Sequence, residues 1–433
     1  MMPTIELARS RWEMPRRHTA AAKPLVDDTV AVVLAGGRGT RLEPLTREIC
    51  KPALPFAAGY RSIDFSLSNC VNSGLRRVGV ATQHKPEALL EHLARVWSNV
   101  ATEPQHFIAP WRAETRAPGI GYRGTADAIY RNLPNIEPLH PKLVLVLAGD
   151  HVYRMDYRPM LEQHCERGAA VTIGCLEVPI EEAAQFGVLT AAADGRIDRF
   201  IEKPKTPAEI PGGDRGCVLA SMGIYVFDAA ILSRALRLDA LSATSRHDFG
   251  CDVLPRLIRD ADAFAWTFRA ADGVRPAYWR DIGTVEAYWR AHLELLDPAR
   301  SVRLDDPAWP LPVAGIAPRL IVSDAAKRRE PASNSLIAGG CTIDGTVERS
   351  VVFEGAEIRR GSEIIDGVIL PGAMIGAGCR LRGVIVDSGC RVPEGTVIDR
   401  SADGKVPTEL MKPLVLTGDV ADQPVGDLAY AVA

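Results

Sequence analysis

The chain has 433 residues, of which 47% are hydrophobic and 24% charged, with a formal net charge of −3 at pH 7. That length allows two or three domains with sizeable cores, and the composition is ordinary for a globular protein. The charge offers no basic field for nucleic acid or anionic lipid, and the apolar runs are far shorter than the roughly 20 residues that a membrane-spanning helix needs.

The amino-terminal segment and the cysteines indicate the compartment. Residues 1–28 are basic and contain prolines but lack an apolar stretch, so they predict a loose arm and not a secretory signal. The nine cysteines form no C-x-x-C pair, which argues against a zinc site and a disulfide framework. We therefore expect reduced cysteines that pack as small hydrophobic residues in a cytoplasmic protein.

Residues 29–296 predict one α/β domain. Short runs rich in Val, Ile and Leu, separated by helical patterns and glycine-marked turns, occupy residues 29–34, 77–81, 143–147 and 170–174. Continuous runs of this kind are typical of strands buried on both faces of a largely parallel sheet. Because ligands bind at the carboxyl ends of such strands, we expect the chemistry directly after each run.

The loop after the first run combines glycines with cations. It reads LAGGRGTRL over residues 34–42 and is followed by Lys51. Glycines at this place let backbone N–H groups approach phosphate oxygens, although neither a P-loop nor a dinucleotide fingerprint is present. Together with Arg38 and Arg41, Lys51 suits a triphosphate whose β- and γ-phosphates leave together. The alternative is a tight turn with surface arginines.

Two acidic residues are candidates for Mg²⁺. Asp150 ends a buried run, and Asp281 lies in YWRDIGT over residues 278–284. Mg²⁺ commonly uses one or two carboxylates beside substrate phosphates, although each residue could instead cap a helix. If the nucleophile is a sugar phosphate, it is already ionised, and catalysis needs only positioning and neutralisation of charge. Accordingly, His151 and His247 are interpreted as structural or hydrogen-bonding residues.

The carboxyl-terminal part has a different pattern of apolar residues. Residues 297–330, which begin with a proline-rich and aperiodic stretch, predict a linker. Within residues 331–433, apolar residues recur six positions apart, at Ile358 and Ile364, Ile375 and Leu381, and Val386 and Val392. This period predicts a parallel β-helix, with an irregular glycine-rich β-domain as the alternative.

Several further segments carry a specific resemblance. They are residues 63–74, 122–128, 148–153, 186–188, 200–204, 221–227, 247–250 and 278–284. With these segments the chain, from about residue 30 to about residue 400, resembles the bacterial glucose-1-phosphate adenylyltransferases (ADP-glucose pyrophosphorylases). The resemblance implies a Rossmann-like nucleotidyltransferase domain with a mixed, mostly parallel sheet, followed by a left-handed parallel β-helix of hexapeptide repeats.

The resemblance also implies a reaction and its partners. The reaction is ATP plus α-D-glucose 1-phosphate giving ADP-glucose and pyrophosphate, with Mg²⁺ as cofactor. In bacteria this is the committed step of glycogen synthesis, and the family forms homotetramers regulated by metabolite effectors. A nucleotidyltransferase using another nucleoside triphosphate and a catalytically inactive regulatory subunit are the close alternatives. An acyltransferase is a more distant one, disfavoured because no histidine follows His292.

The resemblance implies roles residue by residue. The catalytic residues are Arg38, Arg41, Lys51 and Asp150, of which the three cations hold the departing pyrophosphate. The substrate-binding residues are Gly36, Gly37, Gln83, Tyr122, Gly124, Gly187, Glu202, Lys203 and Ser221. Among them, Gln83 and Tyr122 lie near adenine, and Lys203 meets the phosphate of glucose 1-phosphate. Asp150 and Asp281 bind Mg²⁺.

Four features depart from the family pattern. Gly121 stands where many members have tryptophan, which predicts altered stacking of the nucleotide. Glu48 stands where enterobacterial relatives have a lysine that binds fructose 1,6-bisphosphate, and Ser388 where they have an arginine that contacts the inhibitor. The end of the tail, residues 419–433, contains no Lys or Arg. We therefore expect a different pair of effectors.

Overall fold

The computed structural model describes residues 23–100, 103–113, 121–206, 216–270, 277–297, 302–312, 319–321, 332–401, 411–418 and 420. Most of the predicted arm, much of the predicted linker and nearly all of the cation-free tail lie outside these residues. Within the arm, Lys23–Asp27 forms a short helix whose Val26 is buried. The predicted domain boundaries remain predictions.

The elements of the amino-terminal region follow the expected alternation. In chain order they are α1 (Lys23–Asp27), β1 (Thr29–Ala35), β2 (Pro55–Phe56), β3 (Tyr60–Arg61), α2 (Ile63–Asn72), β4 (Arg77–Thr82), α3 (Glu87–His92), β5 (Phe107–Arg112), α4 (Thr125–Ile136), β6 (Leu143–Ala148), β7 (His151–Tyr153), α5 (Arg158–Glu166), β8 (Val171–Pro179), β9 (Gly187–Ala191), β10 (Ile197–Glu202), β11 (Cys217–Asp228), α6 (Ala229–Ala240), α7 (Leu254–Asp260), β12 (Ala263–Thr267), β13 (Trp279–Asp281) and α8 (Val285–Glu294). Short turns of 3₁₀-helix occupy Thr40–Leu42 and Lys51–Ala53, close to the predicted phosphate loop.

One nine-stranded sheet organises this region. Its main order is β10-β9-β11-β6-β1-β4-β5, and β8 pairs with β11 and β12. Strands β6, β1, β4 and β5 are mutually parallel, whereas β11 runs antiparallel to β6, β8 and β9. The four predicted runs are β1, β4, β6 and β8, so the predicted mixed sheet with a parallel centre is confirmed. β8 extends further than expected, to Pro179, because β11 pairs with it along its length.

Strand β1 shows why the continuous apolar runs are needed. Successive side chains point to opposite faces of a strand. Ala31 and Val33 accordingly belong to the core that α2 covers, and Val30 and Val32 to the core that α4 covers. With helices on both faces, Val30 to Ala35 of this strand are all apolar, which explains the lack of alternation in the sequence.

The carboxyl-terminal strands form three narrow sheets. They are β14 (Arg319–Ile321), β15 (Ala332–Ser333), β16 (Ser335–Ile337), β17 (Thr342–Ile343), β18 (Thr346–Glu348), β19 (Val351–Val352), β20 (Glu357–Ile358), β21 (Glu363–Ile365), β22 (Val368–Ile369), β23 (Met374–Ile375), β24 (Arg380–Arg382), β25 (Val384–Val386), β26 (Arg391–Val392), β27 (Val397–Asp399) and β28 (Leu414–Leu416). The sheet orders are β14-β16-β19-β22-β25-β28, β15-β18-β21-β24-β27 and β17-β20-β23-β26. Among the described strands of these sheets, every pairing is parallel except that of β14 with β16, and β14 lies inside the predicted linker.

These sheets confirm the predicted β-helix and not the irregular β-domain. The six apolar residues of the six-residue pattern are all buried in one core. Equivalent positions lie 17 residues apart in the later coils, as in the bond from the Gly367 amide to Ser350 Oγ, but 15 residues apart between the first two coils, as in the bond from the Ser350 amide to Ser335 Oγ. Both offsets are shorter than three hexads and they differ from each other, which explains why the sequence repeat is imperfect.

Helix α8 joins the two regions. Tyr288 and Trp289 are fully buried in a core that also contains Leu336 and Phe353 of the β-helix. The indole of Trp289 donates a hydrogen bond of 2.8 Å to the Asp366 carbonyl. Because β13 directly precedes α8, this packing also supports the strand that carries one of the predicted carboxylates.

The cysteines follow the expectation in part. All nine are free. Five are buried, but Cys165, Cys217 and Cys251 are exposed, so these three do not pack as core residues. Among the described helices, none has the length and apolar character that crossing a membrane requires.

Candidate active site

A cleft of about 510 Å³ opens at the carboxyl ends of β1, β4 and β6. Twelve of the predicted site residues line it: Gly36, Gly37, Arg38, Gln83, Tyr122, Gly124, Asp150, Gly187, Glu202, Lys203, Ser221 and Asp281. Arg41 and Lys51 lie beside the cleft and contact or approach its lining. The sheet thus brings residues from nine separate segments to one edge, as expected for an α/β sheet.

Lys51 joins the two predicted carboxylates. Its Nζ lies 2.6 Å from Asp150 Oδ2 and 2.9 Å from Asp281 Oδ1. The Lys51 side chain is 9% exposed, whereas Asp150 and Asp281 are 28% and 27% exposed and reach the cleft. A cation therefore already occupies the position between two carboxylates that open onto the cleft.

The electrostatics of this triad follow from burial and charge. Burial raises the pKa of the Asp150 carboxylate, but the charge and the hydrogen bond of Lys51, with smaller contributions from neighbouring groups, together outweigh burial and lower this pKa to about 2. Burial likewise lowers the pKa of Lys51, but the charges of Asp150 and Asp281 outweigh it and raise that pKa. Asp150 and Lys51 are therefore both charged at neutral pH.

Strand pairing sets the positions of the two carboxylates. Strands β7 and β13 are antiparallel neighbours, and Asp281 lies opposite His151. Asp150 precedes a strand and not a helix, and Thr284 provides the cap of α8 by accepting a 3.1 Å hydrogen bond from the Ala287 amide. The alternative interpretation of both residues as helix caps was therefore wrong.

The oxygen donors fit a Mg²⁺ ion that completes its shell with water and phosphate. The contacts of Lys51 are to Asp150 Oδ2 and Asp281 Oδ1, and Asp150 Oδ1 lies 3.6 Å from His151 Nε2. Among the described residues no group of three or more His, Cys, Asp or Glu side chains is arranged to hold a metal ion. The two carboxylates match the usual use of one or two carboxylates by Mg²⁺ beside substrate phosphates.

The glycine loop leaves the cations facing the cleft. Arg38 and Arg41 are exposed. A Cβ built on Gly283 would lie 3.0 Å from Arg41 Nη2 and 2.9 Å from Asp281 Oδ1, so Arg41 is close to the carboxylates. At Gly37 nothing lies within 4 Å of such a Cβ, and the backbone is open to a ligand.

Gln83 and Tyr122 form one wall of the cleft. The Tyr122 amide donates to Gln83 Oε1, and the Tyr122 hydroxyl donates to the Trp111 carbonyl over 3.1 Å. At Gly124, which precedes α4, a Cβ would collide with the His247 carbonyl. His247 itself contacts Asp239 Oδ2 over 2.8 Å, so its interpretation as a hydrogen-bonding residue is confirmed.

The opposite end of the cleft carries Glu202 and Lys203. Burial raises the pKa of Glu202, and a Cβ on Gly187 would lie 2.8 Å from its Oε2. Glycine at this position therefore gives the carboxylate its room. Lys203 Nζ lies 3.5 Å from Glu202 Oε1, with 59% of the lysine side chain exposed, so the ammonium remains open to a ligand. Ser221 Oγ donates to the Tyr225 hydroxyl over 3.3 Å.

Other residues that line the cleft were not singled out from the sequence. They include His84, Phe186, Tyr225, Asp248, Phe249 and Trp279. Four of the six lie inside the segments that carry the resemblance, at 221–227, 247–250 and 278–284, so a signal for them was present. Phe186 begins the segment 186–188. His84 lies in none of these segments.

Comparisons with known proteins agree with this geometry. A family model described as "Nucleotidyl transferase" matches residues 30–298, and one described as "GlmU-like, C-terminal hexapeptide" matches residues 317–408. A glucose-1-phosphate adenylyltransferase 2 of Alkalilimnicola ehrlichii is 47% identical over 86% of this chain and 89% of its own length. Glucose-1-phosphate adenylyltransferases of Methylococcus capsulatus (44%, covering 88% and 90%) and Paraburkholderia phytofirmans (45%, covering 86% and 90%) are similar.

Proposed function

The chain belongs to the glucose-1-phosphate adenylyltransferase family, and we propose that it forms ADP-glucose and pyrophosphate from ATP and α-D-glucose 1-phosphate. The observation that carries this proposal is the contact of Lys51 with Asp150 and Asp281 at a cleft with cations at one end and Lys203 at the other. In bacteria this reaction is the committed step of glycogen synthesis.

The reaction needs no general base. A phosphate oxygen of glucose 1-phosphate is already ionised and attacks the α-phosphorus of ATP. The new P–O bond forms as the bond to the β-phosphate breaks, and pyrophosphate leaves with the bonding electrons. Arg38, Arg41 and Lys51 neutralise the charge on the leaving group, and the open backbone at Gly36 and Gly37 admits the nucleotide.

Asp150 and Asp281 are the residues that would hold the metal ion. Nucleotidyltransferases generally use a divalent metal, and the oxygen donors here favour Mg²⁺. When bound with ATP, Mg²⁺ supplies charge neutralisation at the phosphates. In its absence, Lys51 holds both carboxylates in place, so the site is preorganised for the ion.

The two substrates occupy different ends of the cleft. Gln83, Tyr122 and Gly124 lie beside the glycine loop and bind the adenine end of ATP. Gly187, Glu202 and Ser221 bind the glucose ring, because their polar atoms face the opposite end. Lys203 binds the phosphate of glucose 1-phosphate. A cytoplasmic homotetramer regulated by metabolites completes the proposal.

The test is an assay of pyrophosphate release by the purified protein with each nucleoside triphosphate and a panel of sugar 1-phosphates. ATP with glucose 1-phosphate should give by far the highest kcat/KM. A preference for UTP, dTTP or GTP would instead make the chain a related sugar nucleotidyltransferase. Absence of turnover with every pair would favour an inactive regulatory subunit.

Lys203→Ala should raise KM for glucose 1-phosphate far more than KM for ATP. The ammonium of Lys203 is more than half exposed and contacts only glucose 1-phosphate. Its loss therefore weakens the binding of glucose 1-phosphate equally in the ground state and in the transition state. Steady-state kinetics with each substrate varied in turn measure the two constants. The matched control is Lys205→Ala, two residues along the same segment and outside the cleft lining, which should leave both constants unchanged. An equal rise in both constants for Lys203→Ala would contradict its assignment.

Activation by fructose 1,6-bisphosphate should be weak or absent. Such an activator needs several cations at one site, but Glu48 and Ser388 are exposed and supply none. The cation nearest to Glu48 in sequence is Arg47, and its charge acts on Asp387. Burial raises the pKa of the Asp387 carboxylate, and the charge of Arg47 opposes that rise. We expect another activator, such as fructose 6-phosphate or pyruvate, and poor inhibition by AMP.

Titration of activity with each compound at subsaturating ATP measures these responses. Glu48→Lys is the informative variant, since it restores the cation that the enterobacterial relatives carry, and it should increase the response to fructose 1,6-bisphosphate. Strong activation of the unmodified protein at micromolar concentrations would show the expectation to be wrong.

A further inference from the structure

The ring of His84 connects two loops of the cleft. Its Nε2 lies 2.6 Å from Gln83 Nε2 and 3.4 Å from the Nε of Arg38. Gln83 and His84 follow β4, and Arg38 follows β1, the parallel neighbour of β4. His84 is half-buried and lines the cleft together with both partners.

The groups that contact Nε2 of His84 determine its protonation state. The Tyr122 amide donates to Gln83 Oε1, which turns the NH₂ group of Gln83 toward His84. A guanidinium Nε–H can only donate. Two donors therefore meet at one ring nitrogen, which must carry a lone pair and no proton. His84 is accordingly neutral, with its proton on Nδ1.

The contact continues a series of hydrogen bonds that begins in the rigid part of the fold. Tyr122 is anchored by its hydroxyl, which donates to the Trp111 carbonyl of β5 and accepts a 2.9 Å bond from Asn132 of α4. The Tyr122 amide donates to Gln83, the amide NH₂ of Gln83 donates to His84, and His84 accepts a hydrogen bond from Arg38. Arg38 is otherwise exposed and, among the residues that the structure describes, makes no ion pair.

We propose that His84 is a positioning residue for ATP, which holds the guanidinium of Arg38 by its Nε and leaves both Nη groups directed to the departing pyrophosphate. A long exposed side chain loses rotamer freedom when it binds a ligand, and a side chain held beforehand loses less. The role rests on the proposed function, because it acts through the contact of Arg38 with the phosphates.

The first test compares two substitutions at this position. His84→Phe keeps a ring but removes the acceptor, so KM for ATP should rise about tenfold, as expected for a lost hydrogen bond to a charged group. KM for pyrophosphate in the reverse reaction should rise in parallel, and KM for glucose 1-phosphate should stay within about twofold. His84→Gln places an amide oxygen where Nε2 was and should restore both constants. A His84→Phe protein with unchanged KM for ATP overturns the proposal.

The second test uses pH. Burial, and then the charge of Arg38, lower the pKa of His84 below its ordinary value, so the acceptor is present at neutral pH and is lost as the pH falls through that pKa. Arg38 is the charged group that acts on the ring, and Gln83 presents only an uncharged amide. The quantity to compare is the ratio of KM for ATP in the unmodified protein to KM for ATP in His84→Gln. Effects of the ionisation of the substrates and of Glu202 are common to both proteins and cancel in this ratio. This ratio should rise as the pH falls below the ordinary titration range of histidine, and a constant ratio overturns the proposal.

The third test asks whether His84 acts through Arg38. In an Arg38→Ala background, His84→Phe should have no further effect on KM for ATP, whereas additive effects would show that His84 acts independently. The two proposals fail differently. If the unmodified protein makes no ADP-glucose, the proposed function is wrong and the role of His84 falls with it. If it makes ADP-glucose but His84→Phe binds ATP normally, only the role of His84 is wrong.

Discussion

Asp150→Asn is expected to lower kcat by about two to three orders of magnitude or more while the fold stays intact. The substitution keeps the shape of the side chain but removes the charge that anchors the metal ion. Electrostatic contributions of this kind to the transition state amount to about 3–4 kcal/mol or more. Lys51 keeps Asp281 as its partner at 2.9 Å, so the buried ammonium does not lose all of its compensation.

Asp194→Asn is a matched control for this variant. Asp194 is exposed, and its Oδ1 accepts a 3.0 Å hydrogen bond from the Arg196 amide, which an asparagine oxygen can also accept. It should leave kcat and thermal stability unchanged. Initial rates of pyrophosphate release give kcat, and circular dichroism with thermal unfolding verifies the fold. Turnover close to that of the unmodified protein in a folded Asp150→Asn variant would refute the assignment.

Lys51→Gln is expected to lower kcat by at least two orders of magnitude and also to destabilise the protein. The glutamine leaves two neighbouring carboxylates without their shared cation, and it removes a positive charge beside the departing pyrophosphate. Removing one partner of a buried ion pair costs about 3–5 kcal/mol. We expect the lower end, about 3 kcal/mol, because both carboxylates reach the cleft.

The loss of the Lys51 charge should also change the pH dependence of kcat. Lys51 lowers the folded-state pKa of Asp150 to about 2, so its stabilisation is present above the unfolded-state pKa and is lost only as the pH falls toward 2. In Lys51→Gln the pKa of Asp150 rises, and the acid limb of the kcat profile should move to higher pH.

Two further variants separate charge from shape. Lys51→Arg retains the cation and should recover part of both stability and activity. Lys142→Gln breaks a 2.7 Å ion pair with Asp28 on the surface and should leave the free energy of unfolding nearly unchanged, because water screens an exposed pair. If Lys51→Gln has the same free energy of unfolding as Lys142→Gln and an unchanged kcat, then Lys51 contributes no more than a surface ion pair and the site has been misassigned.

The sequence by itself determined the features that depend on local pattern. Apolar runs identified β1, β4 and β6 because a strand buried on both faces favours apolar residues at successive positions. The six-residue recurrence identified the β-helix because each face of a coil directs apolar side chains inward. The glycine loop and Asp150 followed from their places at the ends of such strands, and the motif order identified the family.

Only the tertiary structure decided which of these residues meet. Lys51 contacts Asp281 across 230 residues, because β13 pairs with β7 and α8 packs on the β-helix. His84 meets Arg38 because β1 and β4 are parallel neighbours whose loops leave the sheet at the same edge. Periodicity reports whether a side chain is buried but carries no information on its partner. Partners are set by the order of strands in the sheet and by the packing of helices on it, and these depend on the whole chain.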